Sequence, residues 1–259
     1  MRQHYRIGQV VPSSNVTMET EIPLILGRRQ TLLPETFSFH ASRMRMKKVT
    51  REELAAMDAS AGRCVQELTD ARVDIIGYAC LVAIMSAGAG YHRQSEAHLG
   101  EVARANDAPT PIVTSAGALI QGLRALGARR VSIITPYMKP LTRLVATYLE
   151  DEGIEVVDAL SLEIEDNLAV GARDPLALVD LSRNVRMAGI DVLVASACVQ
   201  MPSLAALDPI ERRTGIPTVS AASCTAFAML SALGLDPVSP GFGAILAPMR
   251  PMALEEPAP

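Results

Sequence analysis

Two cysteines sit in matching surroundings. Cys80 closes the run "DIIGYAC" and Cys198 closes "DVLVASAC", so in both places an apolar segment with strand character ends on a thiol. A single cysteine there reads as packing, because a free thiol behaves as a small hydrophobe and is among the most often buried side chains. A second one at the equivalent place of a repeated unit shifts the reading to function. At a strand-to-helix junction, main-chain N–H groups and the helix dipole favour negative charge, which predicts a lowered thiol pKa and hence a nucleophile or base. The segments "PSSN" with Asn15, "ACLV", "TPY" with Tyr137 and "ACVQ" contain no Arg or Lys. An anionic substrate is therefore expected to be held by main-chain donors and by Asn, Ser and Tyr side chains.

By residue type alone these polar positions also have structural readings. Asn15 in its Pro-Ser-Ser-Asn turn serves equally well as a helix cap, Tyr137 after a proline as a packed aromatic, and Asn167 in "EIEDNLAV" as loop. Cys64 and Cys224 read as core. No CxxC and no histidine pair at metal spacing accompanies the thiols, so neither a zinc site nor a disulfide framework is expected. His92 and His98 fall in a polar helical stretch and read as solvated, while His4 and His40 have no partner visible in the sequence.

The remaining composition limits the function classes. A net charge of −4, no Trp and 3% aromatic residues argue against a general nucleic-acid binder. The one basic cluster, "RMRMKKVTR" at 43–51, alternates Arg43, Arg45 and Lys47 like the wet face of a strand. With 49% hydrophobic residues but no window of about eighteen uninterrupted apolar ones, the chain reads as globular with no membrane span. The opening apolar run is too short for a signal-peptide core, so a cytoplasmic location is expected.

The elements that must position the thiols follow from periodicity. "RIGQVVP", "VDIIGYA", "TPIVTSA", "RVSIITP", "IDVLVASA" and "IPTVSAA" are short β-branched runs that read as buried parallel strands. Between them lie amphipathic stretches. One opens on a capping box of Thr50 and Glu53 and carries Leu54, Met57, Ala61, Cys64, Val65 and Leu68 on a single stripe. Strand and helix alternate in the same order in both halves, and Pro12/Pro136 and Cys80/Cys198 recur at an offset of about 120 residues. The fold class is α/β: two pseudosymmetric doubly wound lobes with mainly parallel sheets and a cleft between them. The lobes are expected to comprise residues 1–115 plus 222–259, with the last helix returning to the first lobe, and residues 116–221. "EEPAP" is expected as a loose tail. Ligands in such sheets bind beyond the carboxyl ends of the strands, where Asn15, Cys80, Tyr137 and Cys198 would converge.

At these residues the sequence resembles a known family. "RIGQVVPSSNVTMETEIP", with the two strand-end cysteines, is similar to maleate cis-trans isomerases of the aspartate/glutamate racemase superfamily along nearly the whole chain. The resemblance implies cofactor-free conversion of maleate to fumarate. It makes Cys80 the nucleophile that forms a succinyl-cysteine adduct and Cys198 the opposing acid/base group. Asn15, Tyr137 and Asn167 would hold the substrate carboxylates, with main-chain groups of Leu81, Val82, Val199 and Gln200 completing the pocket. The implied partner is a small dicarboxylate, with no nucleic acid, membrane or metal, and a homo-oligomer, in the simplest case a dimer, is expected. A two-thiol amino-acid racemase and a non-catalytic binder of small acids are the alternatives that the residues leave open.

Overall fold

The computed structural model describes residues 3–247. Its strands are β1 (His4–Pro12), β2 (Thr36–Met44), β3 (Ile75–Tyr78), β4 (Ile112–Thr114), β5 (Arg130–Thr135), β6 (Glu155–Ser161), β7 (Val192–Ser196) and β8 (Thr218–Ser220). The helices of the first half are α1 (Met18–Arg29), α2 (Arg51–Asp58), α3 (Ala61–Asp70), α4 (Leu81–Ser86), α5 (Tyr91–Ala105) and α6 (Ser115–Ala125). Those of the second are α7 (Lys139–Asp151), α8 (Asn167–Gly171), α9 (Ala177–Leu181), α10 (Leu204–Thr214) and α11 (Ala221–Ala232).

The strands form two four-stranded sheets, ordered β2-β1-β3-β4 and β6-β5-β7-β8, with every pairing parallel. The same order in both confirms the duplicated plan. β3 and β7 are buried along their whole length, as strands covered on both faces must be, and this explains their near-continuous apolar sequences. Of the edge strands, the short and largely buried β4 and β8 fall within the predicted runs, whereas the longer β2 and β6 do not. "TFSFHASRM" and "EVVDALS" are half-buried and mix polar with apolar residues, so they lack that signature.

In each sheet the chain leaves its first strand toward one edge and returns on the other side of that strand. The point where the order reverses lies between β1 and β3 in one sheet and between β5 and β7 in the other. A crevice opens at the carboxyl ends of strands at such a point. The segments after these four strands carry Asn15, Cys80, Tyr137 and Cys198.

Two local expectations change. The stripe from Leu54 to Leu68 is buried as expected, but it spans two helices, α2 and α3, that break at Ala59 and Ser60. Thr50 does accept the Glu53 amide, whereas the Glu53 carboxylate accepts the main-chain amides of Lys47 and Lys48 rather than that of Thr50. His92 is buried, not solvated. Its ring Nδ1 lies 2.6 Å from the Tyr148 hydroxyl, and burial, its largest influence, pushes its pKa down and favours the neutral ring. His98 is exposed, and His4 and His40 bond hydroxyls of Thr36 and Ser38 along the sheet edge. The terminal "EEPAP" lies outside the described residues.

After β8, α11 packs against α6, α1 and β3. The chain that follows is tied to α1 by a buried cation: Arg29 donates to the carbonyls of Asp236 and Val238 and pairs with Glu35 at 3.3 Å, and Ser239 donates to the Ile25 carbonyl at 2.7 Å. Removing one member of a buried pair leaves the other charge uncompensated. Arg29→Met is therefore expected to cost about 3 kcal/mol and lower the melting temperature by roughly 6–12 °C in calorimetry. An unchanged transition would show that the loop docks without this cation.

Candidate active site

Asn15, Cys80, Leu81, Val82, Tyr137, Asn167, Cys198, Val199 and Gln200 all line one small cavity between the two sheets, of about 20 Å³. Pro12, Ala79, Met46 and Val49 complete its wall, and no Arg, Lys, His, Asp or Glu lines it. Cys80 and Cys198 are only 5% and 6% exposed, and the charge of Cys198 acts on the titration of Cys80. Among the described residues no group of His, Cys, Asp and Glu is placed to hold a metal ion, and no helix is long and apolar enough to cross a membrane.

The two thiols differ in their surroundings. Burial pushes Cys80 up to about 12, and one main-chain donor, the Ala83 amide, opposes it. Burial also raises Cys198, but the Tyr137 hydroxyl and the amides of Gln200 and Met201 pull it back, the Gln200 amide lying 3.4 Å from the sulfur. This overturns the lowered pKa expected at the strand-to-helix junction. The α4 turn behind Cys80 has six residues, and in a cavity without cations desolvation outweighs the partial charge of so short a helix. Both thiols are consequently protonated in the free protein at neutral pH.

A measurable consequence follows for Cys80. Below its pKa the thiolate fraction grows tenfold per pH unit, so its alkylation by iodoacetamide should accelerate about tenfold per unit from roughly pH 7 to roughly pH 10 without levelling off. Peptide mass spectrometry resolves it from the other thiols. A plateau near the ordinary thiol range, about 8.5, would show that the cavity does not hold the proton on Cys80.

The polar side chains join the two lobes. Asn15 secures the start of α1 without being its N-cap residue, which is Thr17: its Oδ1 accepts the amides of Thr17 and Met18, both at 3.0 Å. Its Nδ2 is turned toward the other lobe, 3.4 Å from the Val199 carbonyl, so the structural reading and the site reading apply to opposite ends of one amide. Asn167 opens α8, which Asp166 caps, and donates to Ser14 Oγ at 2.8 Å. Gln200 is fully engaged, accepting from the Val16 amide and donating to the carbonyls of Ser14 and Asn167. Gly171 permits this, since a Cβ there would fall 2.6 Å from Gln200 Nε2.

Sequence reasoning missed the part of the wall supplied by the basic cluster. The alternation through residues 42–47 is real, but its inward members Met44 and Met46 are buried, and Met46 and Val49 face the cavity. Reading the methionines as the covered face of that stretch would have found Met46. Val49, Tyr137 and Asn167 also line an outer cavity of about 480 Å³, whose wall includes Lys47 and Lys48 together with Glu165 and Asp166.

Comparison with known proteins gives a consistent picture. A family model described as arylmalonate decarboxylase matches residues 7–246. A maleate isomerase of Pseudomonas putida is 57% identical over 247 residues, covering 95% of this chain and 99% of its own. The crystal structure of a Pseudomonas putida maleate isomerase superposes with a TM-score of 0.94 at 58% identity, covering 95% of this chain and 99% of the other. A Nocardia farcinica maleate cis-trans isomerase, solved as a cysteine-to-serine mutant with a covalently bound succinylcysteine intermediate, matches with a TM-score of 0.90 at 45% identity over 94% and 98% of the two chains.

Proposed function

The chain belongs to the maleate isomerase family, within the wider family described as arylmalonate decarboxylase, and on that premise we propose that it isomerises maleate to fumarate through a succinyl adduct on Cys80, without a cofactor. The observation that carries this reading is the meeting of two thiols from equivalent strand ends in one cation-free cavity. The succinylcysteine captured in the Nocardia farcinica mutant is the adduct such a pair would form.

Rotation about a carbon–carbon double bond is blocked at ordinary temperature, and sulfur addition replaces it with a single bond that turns. The Cys80 sulfur bonds to one alkene carbon, and the π pair moves toward the adjacent carboxylate as an enediolate. Cys198 gives its proton to the second carbon and takes the one that Cys80 loses. After rotation Cys198 returns a proton to the departing Cys80 sulfur while it recovers its own from carbon, and the C–S bond breaks to leave the trans diacid. Protons balance between two thiols that start neutral. The thiolate-stabilising donors sit on Cys198, the group that must bear charge while its proton is away. On this reading Asn15 Nδ2 and Asn167 would turn from Val199 and Ser14 to the substrate carboxylates, and Tyr137 would do so when its hydroxyl leaves the Cys198 sulfur; donors fixed before reaction contribute up to a few kcal/mol each.

A cavity of about 20 Å³ has room for little more than a water molecule. A four-carbon diacid therefore enters when the wall parts, and the connection carrying Met46 and Val49 between the inner and outer cavities is the segment whose movement would open it. The apolar side chains around Cys80 then keep water from the adduct.

A homodimer belongs to the same reading, supported by an apolar groove that Val16, Leu24, Pro175 and Pro202 line, with half-exposed Leu168 and Leu176 on the adjoining segments. So does a cytoplasmic location, where a reducing milieu keeps all four cysteines free. The deciding experiment incubates reduced protein with maleate, without metal or nucleotide, and follows the vinyl protons by NMR. Appearance of the fumarate signal supports the proposal, and its absence with folded protein overturns it.

A further inference from the structure

The N-terminal string "NVTMETEIP" contains a charge that the catalytic scheme leaves unused. Glu21 lies in α1 of the first lobe and is 4% exposed, yet its carboxylate bonds to the other lobe. Oε1 accepts the amides of Ser203 at 2.6 Å and Leu204 at 3.0 Å, and Oε2 accepts the Ser203 hydroxyl at 3.1 Å. These amides open α10. Ser203 stands at its N-cap, where serine normally caps with its own oxygen, but its side chain does not do so here. A carboxylate from across the molecule fills that role and places a negative charge at the positive end of the helix dipole.

The helix is not all that this fixes. Cys198 is five residues before Ser203, and the intervening loop is held at its start by the Ser196 hydroxyl, which donates to the Cys198 carbonyl at 2.9 Å and the Met201 carbonyl at 3.1 Å. Its middle is held by Thr17 Oγ1 donating to the Gln200 carbonyl at 2.7 Å. Glu21 fixes the far end. We propose that Glu21 is a positioning residue for Cys198: by capping α10 from the opposite lobe it sets the path of residues 198–203 and so the direction in which the Cys198 sulfur enters the cavity. Glu21 does not itself line that cavity. Burial raises the Glu21 pKa, and the Ser203 and Leu204 amides and the Ser203 hydroxyl oppose it; in its ionised form Glu21 acts on Cys198 in the direction that keeps the proton on sulfur.

This inference rests on the reading of Cys198 as the acid/base thiol, and the test separates the two. Full-length wild type, Glu21→Ala and Glu21→Gln are treated with iodoacetamide without substrate, and the ratio of Cys198 to Cys80 labelling is read by peptide mass spectrometry. Cys80 shares the cavity and controls for general loosening. In Glu21→Ala the ratio should rise at least about threefold, and maleate turnover should show kcat about 10- to 100-fold lower with KM changed less than about twofold, the effect of a reacting group displaced by a fraction of an ångström. Glu21→Gln keeps an acceptor for the amides and should fall between Glu21→Ala and wild type in both readouts.

A wild-type ratio and wild-type kcat in Glu21→Ala, or in Glu21→Gln should the alanine variant not fold, overturn the proposal. So does a parallel rise in labelling of both cysteines, which marks loss of structure and not of position. If wild type fails to isomerise maleate, the reading of the site falls while the labelling ratio still decides the role of Glu21.

Discussion

Cys80→Ser is expected to leave a folded protein that interconverts maleate and fumarate on the order of 10⁴-fold more slowly, or not at all. Serine fills nearly the same volume and can still accept the Ala83 amide, so the fold has no reason to respond. The chemistry does. A hydroxyl is far less acidic than the thiol it replaces, and no His, Asp, Glu or Lys lines the cavity to take its proton. An alkoxide is also the poorer leaving group when the adduct must break. Stopped NMR time courses give kcat, and calorimetric titration of the variant with maleate checks that binding survives. Cys64→Ser and Cys224→Ser, at buried positions outside the cavity, should keep wild-type kcat. A Cys80→Ser protein retaining more than a few per cent of activity would remove the nucleophile from the mechanism.

What the sequence allowed to be read, and what it did not, has a physical dividing line. Strands covered on both faces carry near-continuous apolar runs, so β1, β3, β5 and β7 announce themselves, and with them the turns that carry Asn15, Cys80, Tyr137 and Cys198. The repeat made the two cysteines equivalent before any contact was known. β2 and β6 are half-buried along their length, unlike the covered edge strands β4 and β8, and lose that contrast. The acidity of Cys80 is not legible because a local feature, the helix start, is visible in sequence, whereas its burial depends on a cavity whose wall includes residues more than fifty positions away, Tyr137 and Val199 among them. Glu21 was invisible for the same reason: its partners Ser203 and Leu204 belong to the second half, and nothing around Glu21 marks it as buried. Local chemistry is legible where periodicity places it, and coupling between lobes is not.

Cys198→Ser should behave differently from Cys80→Ser, and the difference tests the division of labour. With Cys80 intact, sulfur can still add to maleate, because the serine hydroxyl at position 198 can give its proton to the second carbon and take the one that Cys80 loses, as the thiol does in wild type. The adduct must then pass its carbon-bound proton to that group while the departing sulfur receives one, and a serine hydroxyl does this far less readily than a thiol whose conjugate base the Tyr137 hydroxyl and the Gln200 and Met201 amides support. Breakdown is slowed more than formation, so turnover should fall about 10²- to 10⁴-fold while an adduct of one maleate per chain accumulates on Cys80. Intact-mass measurement after mixing with maleate, followed by peptide mapping, locates it. The double variant Cys80→Ser/Cys198→Ser should carry none. If the adduct instead forms on Cys198 in the Cys80→Ser protein, the roles are exchanged. If Cys198→Ser loses turnover without any adduct, then Cys198 is required for the attack itself, and the proton on Cys80 leaves only by way of its opposite number.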